Sequence, residues 1–233
     1  MSEVTHRILI GAYGWSHTAW QDDFYPHELP EDWQLAYYGN EFPVIMVPSA
    51  YWQQPGRALI EAALEDSAES LQVVYEAPLV LQADTPVAEV VSILHAFAEQ
   101  ITTIGHPCAA VVIPADSADF PFAEFLQALH ISIPLVFVFT ADLDGMQSTK
   151  LHSLFKEYDV GLCWSGGAGA EVLQFGPVAL TLIRGPLEMR QLRSVIETIL
   201  SETKGGQQSI LIFQGQAPAI ESMRNAAVML DLF

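Results

Sequence analysis

The sequence predicts a single (β/α)8 barrel of the TIM type, on three observations. Short apolar, β-rich runs recur eight times along 233 residues, with starts about 29 residues apart, the length of one strand-plus-helix unit. Several runs (VIMV, AAVVI, LVFVF) are apolar at every position, as in parallel strands covered on both faces. Between the runs, apolar residues return every three or four positions, the period of a helix lying on a sheet. Periodicity does not by itself establish closure, so an open doubly wound sheet is the alternative architecture.

The strands are expected at 7–12, 43–47, 71–77, 108–113, 133–140, 160–164, 178–183 and 209–213. If the sheet closes, the first and eighth pair directly. A helix over 85–104 lines up Val87, Val90, Leu94, Phe97 and Ile101 on one face, with Thr85 as its N-cap and Pro86 at its first position. A second helix over 186–202 does the same with Leu187, Leu192, Val195, Ile196 and Ile199, and shorter ones are expected at 120–129 and 148–158. The interval between strands six and seven is short and carries SGGAGA, so a loop is expected there in place of a helix. No composition break or Ser/Pro-rich linker divides the chain, and residues 1–233 read as one domain.

The formal net charge is −19. Nucleic-acid affinity rests on clustered Lys and Arg, and between Ala58 and Thr149 there is no basic residue against thirteen Asp and Glu. Neither a nucleic-acid partner nor an anionic membrane surface is expected. The longest apolar run, 131–139, is interrupted by Ser132 and Pro134 and is too short to span a bilayer. The opening MSEVTHR leads straight into an apolar strand without signal-peptide architecture, so a cytoplasmic location is expected. Cys108 and Cys163 each sit in an apolar run with no CxxC spacing and read as buried reduced thiols.

No nucleotide, metal or nucleophile motif is present, and no cofactor or metal is expected. Gly166, Gly167 and Gly169 could lend backbone N–H groups to an anion or simply form a loop. Asp142 and Asp144 could serve a hard cation or mark a solvated turn. The aromatic residues are more distinctive: eleven of the chain's 24 Trp, Tyr and Phe fall between Ile8 and Trp52. They could form a stacking pocket for a ring-shaped ligand or pack the first loop onto the barrel.

That stretch resembles the opening of the YecE-like family, a group of (β/α)8 barrels of unknown function. Gly11, Gly14, Trp15 and Ser16 match its first strand end, Phe24-Tyr25-Pro26 and Leu29-Pro30 its aromatic loop, and Tyr37-Tyr38 its first helix. Ser49, Tyr51 and Trp52 match the end of its second strand. Ala77-Pro78, Leu162-Cys163-Trp164 and Met223-Arg224-Asn225-Ala226 resemble later elements. The departures concern charge. Where the family carries polar or charged strand residues, this chain has Met46, Pro48, Val112, Val138, Thr140 and Leu182, and it has Glu76 and Arg184 in place of a Lys and a His.

Barrel sites lie at strand C-termini. A candidate pocket therefore gathers Tyr13, Trp15, Ser16 and His17 after strand one, and Ser49 and Trp52 after strand two. Later strands add Glu76, Trp164, Arg184 and Gln214. Glu76 and Arg184 are expected to face each other across the barrel, and the lumen beneath is expected to be apolar. The resemblance with those losses implies a non-catalytic small-molecule-binding or interaction module. The alternative is a lyase, isomerase or hydrolase using the residual polar groups.

Overall fold

The structure, a computed structural model, describes residues 8–52, 56–140, 145–164, 176–203 and 206–233. Arg7, Asp142, Asp144, the Gly166–Gly169 segment and the rest of the interval between strands six and seven lie outside the described residues.

The chain alternates strands and helices throughout. β1 (Ile8–Tyr13), α1 (Gln34–Gly39), β2 (Val44–Val47), α2 (Gly56–Glu65) and β3 (Gln72–Glu76) form the first half of the wall with α3 (Val87–Ile104) and β4 (Cys108–Ala115). Then follow α4 (Phe122–Ala128), β5 (Leu135–Phe139), α5 (Gly145–Glu157), β6 (Gly161–Leu162), β7 (Val178–Arg184), α6 (Met189–Glu202), β8 (Gln208–Gln214) and α7 (Ile220–Leu230). The strands are parallel and ordered 6-5-4-3-2-1-8-7. β1 pairs with β8 from Ile8–Ser209 through Ala12–Phe213, as a closed barrel requires. The last joint, between β6 and β7, rests on Trp164: its N–H donates to Leu180 O (3.0 Å) and its carbonyl accepts from Leu182 N–H (2.9 Å). The sheet thus closes, and the doubly wound alternative is excluded.

Alternation along the strands sorts the core into two shells. One cluster, made of strand residues alone, fills the lumen with Val44, Met46, Val74, Val112, Val136, Val138, Leu180, Leu182, Ile210 and Ile212. Their neighbours in the chain, such as Ile45, Val73, Val111, Phe137 and Leu211, point outward into the layer under the helices. There α3 seats Val90, Leu94, Phe97 and Ile101.

The start of α3 corrects one expectation. Thr85 does not cap it: the residue preceding the helix is Pro86, whose carbonyl accepts from Glu89 and Val90 N–H. The Thr85 hydroxyl instead accepts Gln82 N–H (3.2 Å), closing the preceding turn.

Between β1 and β2 the wall contains a side chain. The Tyr38 hydroxyl accepts Ala12 N–H (2.8 Å) and donates to Val44 O (2.9 Å), joining one polar group from each strand. Next to it, a Cβ on Gly11 would lie 1.9 Å from Val44 O, so only glycine allows this approach of the two strands.

Candidate functional site

Four of the strand-end residues continue the lumen-facing alternation to the C-terminal rim. Tyr13, Glu76, Arg184 and Gln214 each follow by two positions a residue on the lumen face: Gly11, Val74, Leu182 and Ile212. Below them Met46, Val112, Val138 and Leu182 are 1, 1, 8 and 2% exposed, so the floor of the mouth is buried and apolar. Burying each such chain contributes roughly 1.5–3 kcal/mol, whereas an unpaired carboxylate among them would cost stability.

Glu76 is held from its own side of the barrel. One carboxylate oxygen accepts the Tyr13 hydroxyl (2.7 Å) and Ser49 N–H (2.8 Å), so Ser49 contributes its backbone to the site. Burial, reinforced by the hydrogen bond to Glu76, raises the Tyr13 hydroxyl pKa well above its ordinary value. Arg184 ends β7, four strands round the ring and therefore opposite β3. Its Nε donates to Gln214 Oε1 at 3.3 Å, and the side chain is exposed. Among the described residues Glu76 and Arg184 form no ion pair. The expected cross-barrel pair is corrected on this point: the two side chains stand on opposite walls, with Glu76 bonded to Tyr13 and Ser49 and Arg184 bonded to Gln214.

Beneath Arg184 lies Cys163, turned to the lumen side. Burial pushes its thiol up to about 12 against the downward pull of the Arg184 charge. Both cysteines are free. Round the rim, the Thr140 hydroxyl donates to Asp116 Oδ1 (2.5 Å). Among the described residues no group of three His, Cys, Asp and Glu is placed to hold a metal ion.

The remaining candidates go elsewhere. At Gly14 (φ +77°) the chain turns off β1, with Gly14 N–H donating to Met46 O (2.8 Å). This sends Trp15 outward, where its ring meets Tyr51 edge-on at 4.9 Å and its carbonyl accepts the Tyr25 hydroxyl (2.6 Å). Ser16 is exposed. His17 bridges two loops: Nδ1 faces Gln216 O (3.0 Å), and Nε2 faces Tyr13 O and Gly14 O (3.1 and 3.2 Å). Trp52 packs on Tyr75 and Phe97 behind the wall, with ring centroids 5.3 and 4.9 Å apart. Trp164 is buried in the same outer layer.

The aromatic loop is packing as well. Trp20, Phe24, Tyr25, Tyr38 and Phe42 interlock outside β1 and β2, and Trp20 Nε1–H donates to Pro218 O (2.9 Å). Two rim features escaped the sequence reading. The lumen position of Cys163 was signalled by alternation in GLCW, since Trp164 needs the opposite face. The partnership of Thr140 with Asp116 crosses from one strand end to the next and has no local signal.

Compared with known proteins, residues 9–172 match the family model described as protein of unknown function DUF72. Two crystal structures share the architecture over nearly the whole chain. A DUF72 family protein from Thermotoga maritima is 12% identical, covers 97% of this chain and 99% of its own, and has a TM-score of 0.70. A DUF72 family protein from Enterococcus faecalis is 12% identical, covers 98% and 99%, and has a TM-score of 0.69. At such identities the likeness bears on the fold. No curated protein matches the sequence.

Proposed function

The chain belongs to the DUF72 family, and from that premise we propose that it is a binding module. It holds a small molecule in the C-terminal mouth of its barrel and runs no catalytic cycle. The observation that carries this reading is the chemical quietness of the mouth. Acid–base catalysis needs a positioned group that exchanges protons near neutral pH. Burial keeps Tyr13 and Cys163 protonated. Both ring nitrogens of His17 are turned onto backbone carbonyls, so the imidazole is a clasp between loops. Glu76 has one oxygen fixed by two donors. Glu76 and Arg184 are suited to hold a ligand over an apolar floor.

Methyl NMR on the full chain tests the reading with a collection of small polar and amphiphilic compounds. Ligands should move the Met46, Val112, Val138 and Leu182 methyl signals while those of Ile60 and Leu94, behind the wall, stay in place. Shifts confined to the outer layer would overturn the assignment to the mouth. Conversion of any bound compound that disappears in Glu76→Gln would establish an enzyme instead.

A further inference from the structure

We infer that the ligand of this mouth is a zwitterion whose charges sit at opposite ends of an apolar spacer, an ω-amino carboxylate in chemical class. The inference rests on the reading of the mouth as a binding site and adds what that site selects. Among the described residues the rim places Glu76, ending β3, and Arg184, ending β7, on opposite walls, while a second carboxylate, Asp116 beyond β4, is taken up by the Thr140 hydroxyl. Glu76 and Arg184 do not neutralise each other. Tyr13 and Ser49 occupy one oxygen of Glu76, and the other has no partner among the described residues. Among the described residues Arg184 spends only Nε, on Gln214, and its terminal N–H fork, shaped for a carboxylate, has no partner there.

Between the two charges the described residues are neutral: Tyr13 on the wall, and the apolar Met46, Val112, Val138 and Leu182 below. A ligand that satisfies both walls must place an ammonium against Glu76, a carboxylate against Arg184 and methylenes over the floor. Two further considerations favour both charges in one molecule. A purely anionic ligand would approach against the net charge of −19, which a neutral zwitterion does not feel at long range. An α-amino acid carries its charges one carbon apart, too close to reach two opposite walls.

The test is isothermal titration of the full chain with a series running from glycine to 8-aminooctanoate, alongside the alkylamine and alkanoate of each length. Affinity should peak at an intermediate spacer. There the zwitterion should bind about tenfold tighter than either monofunctional compound, the worth of one charged hydrogen bond. Arg184→Leu, at an exposed position, should reduce the zwitterion to the affinity of the matching amine and leave the amine unchanged. Glu76→Gln should reduce it to the affinity of the matching alkanoate.

Affinity rising steadily with length, equal affinity for zwitterion and monofunctional compounds, or an Arg184→Leu loss shared by the amine would each overturn the inference. If neutral compounds move the Met46 and Leu182 methyl signals while no zwitterion binds, the charge-spacing inference fails and the binding reading stands. If no compound moves those signals, both fall.

Discussion

Tyr38 and Tyr75 are both fully buried, and the hydroxyls they carry meet different surroundings. Tyr38 joins Ala12 N–H to Val44 O, whereas the Tyr75 hydroxyl has no hydrogen-bond partner among the described residues. Leaving a buried donor or acceptor unpaired costs about 1–3 kcal/mol, while removing an unpaired one costs nothing comparable. Tyr38→Phe should therefore lower stability by roughly 2–4 kcal/mol, because two backbone groups lose their partner at once. Tyr75→Phe should be neutral or slightly stabilising. Urea denaturation of the two variants measures the contrast, and equal losses would contradict it. At the rim, Glu76→Gln and Arg184→Leu act on groups that do not touch. Their effects on unfolding free energy should add within about 0.5 kcal/mol in the double variant. A larger coupling would show that the two side chains meet.

The helices differ in how they begin. α6 has a full capping box, in which the Glu188 side chain accepts from the Gln191 backbone and the Gln191 side chain accepts Glu188 N–H (2.9 Å). α3 has no side-chain cap, and its first turn hangs on the Pro86 carbonyl. Glu188→Ala should therefore cost about 1 kcal/mol and Thr85→Ala no more than about 0.5 kcal/mol, read from urea midpoints. A larger loss at Thr85 would reinstate it as a cap.

At this scale the sequence is legible where one physical signal dominates. The all-apolar runs locate the strands because both faces of a barrel strand are covered, and the heptad-like spacing of Val90, Leu94 and Ile101 locates α3. Thr85 misleads because a hydroxyl beside a proline can close the turn before the helix as readily as the helix itself. β6 is shorter than its apolar run, since only Gly161 and Leu162 pair with β5. In the site, Glu76 and Arg184 stand out as charges at strand ends. Trp15 and Trp52 do not declare their face, because each follows a turn that resets the alternation of the preceding strand.

Buried ionisable groups couple the whole molecule to alkaline pH. Burial raises the Tyr13, Tyr38 and Tyr75 hydroxyls and pushes the Cys108 and Cys163 thiols up to about 12. For each, the folded state keeps a proton that the unfolded state has already released, so stability falls as pH rises. Their contribution is fully present below about pH 9, the ordinary thiol value, and is lost progressively towards pH 12. Urea midpoints at pH 8, 10 and 11 should decline in that order, and a flat series would refute the assignment.

The ring is also unequal around its circumference. β7 and β8 pair over seven residues, from Val178–Gln208 to Arg184–Gln214, whereas β6 and β7 meet through the two hydrogen bonds of Trp164. In hydrogen exchange, the Trp164 and Leu182 amides should lose protection before those of Leu211 and Ile212, and the reverse order would place the weak joint elsewhere. Opened at that joint, the barrel becomes a ribbon with two raw margins, and the unpaired backbone along β6 and β7 becomes a template for another chain. The same closure that hides every strand edge in the native state therefore sets where self-association would begin, and a crowded, mildly destabilised solution of this protein would polymerise from its Trp164 seam.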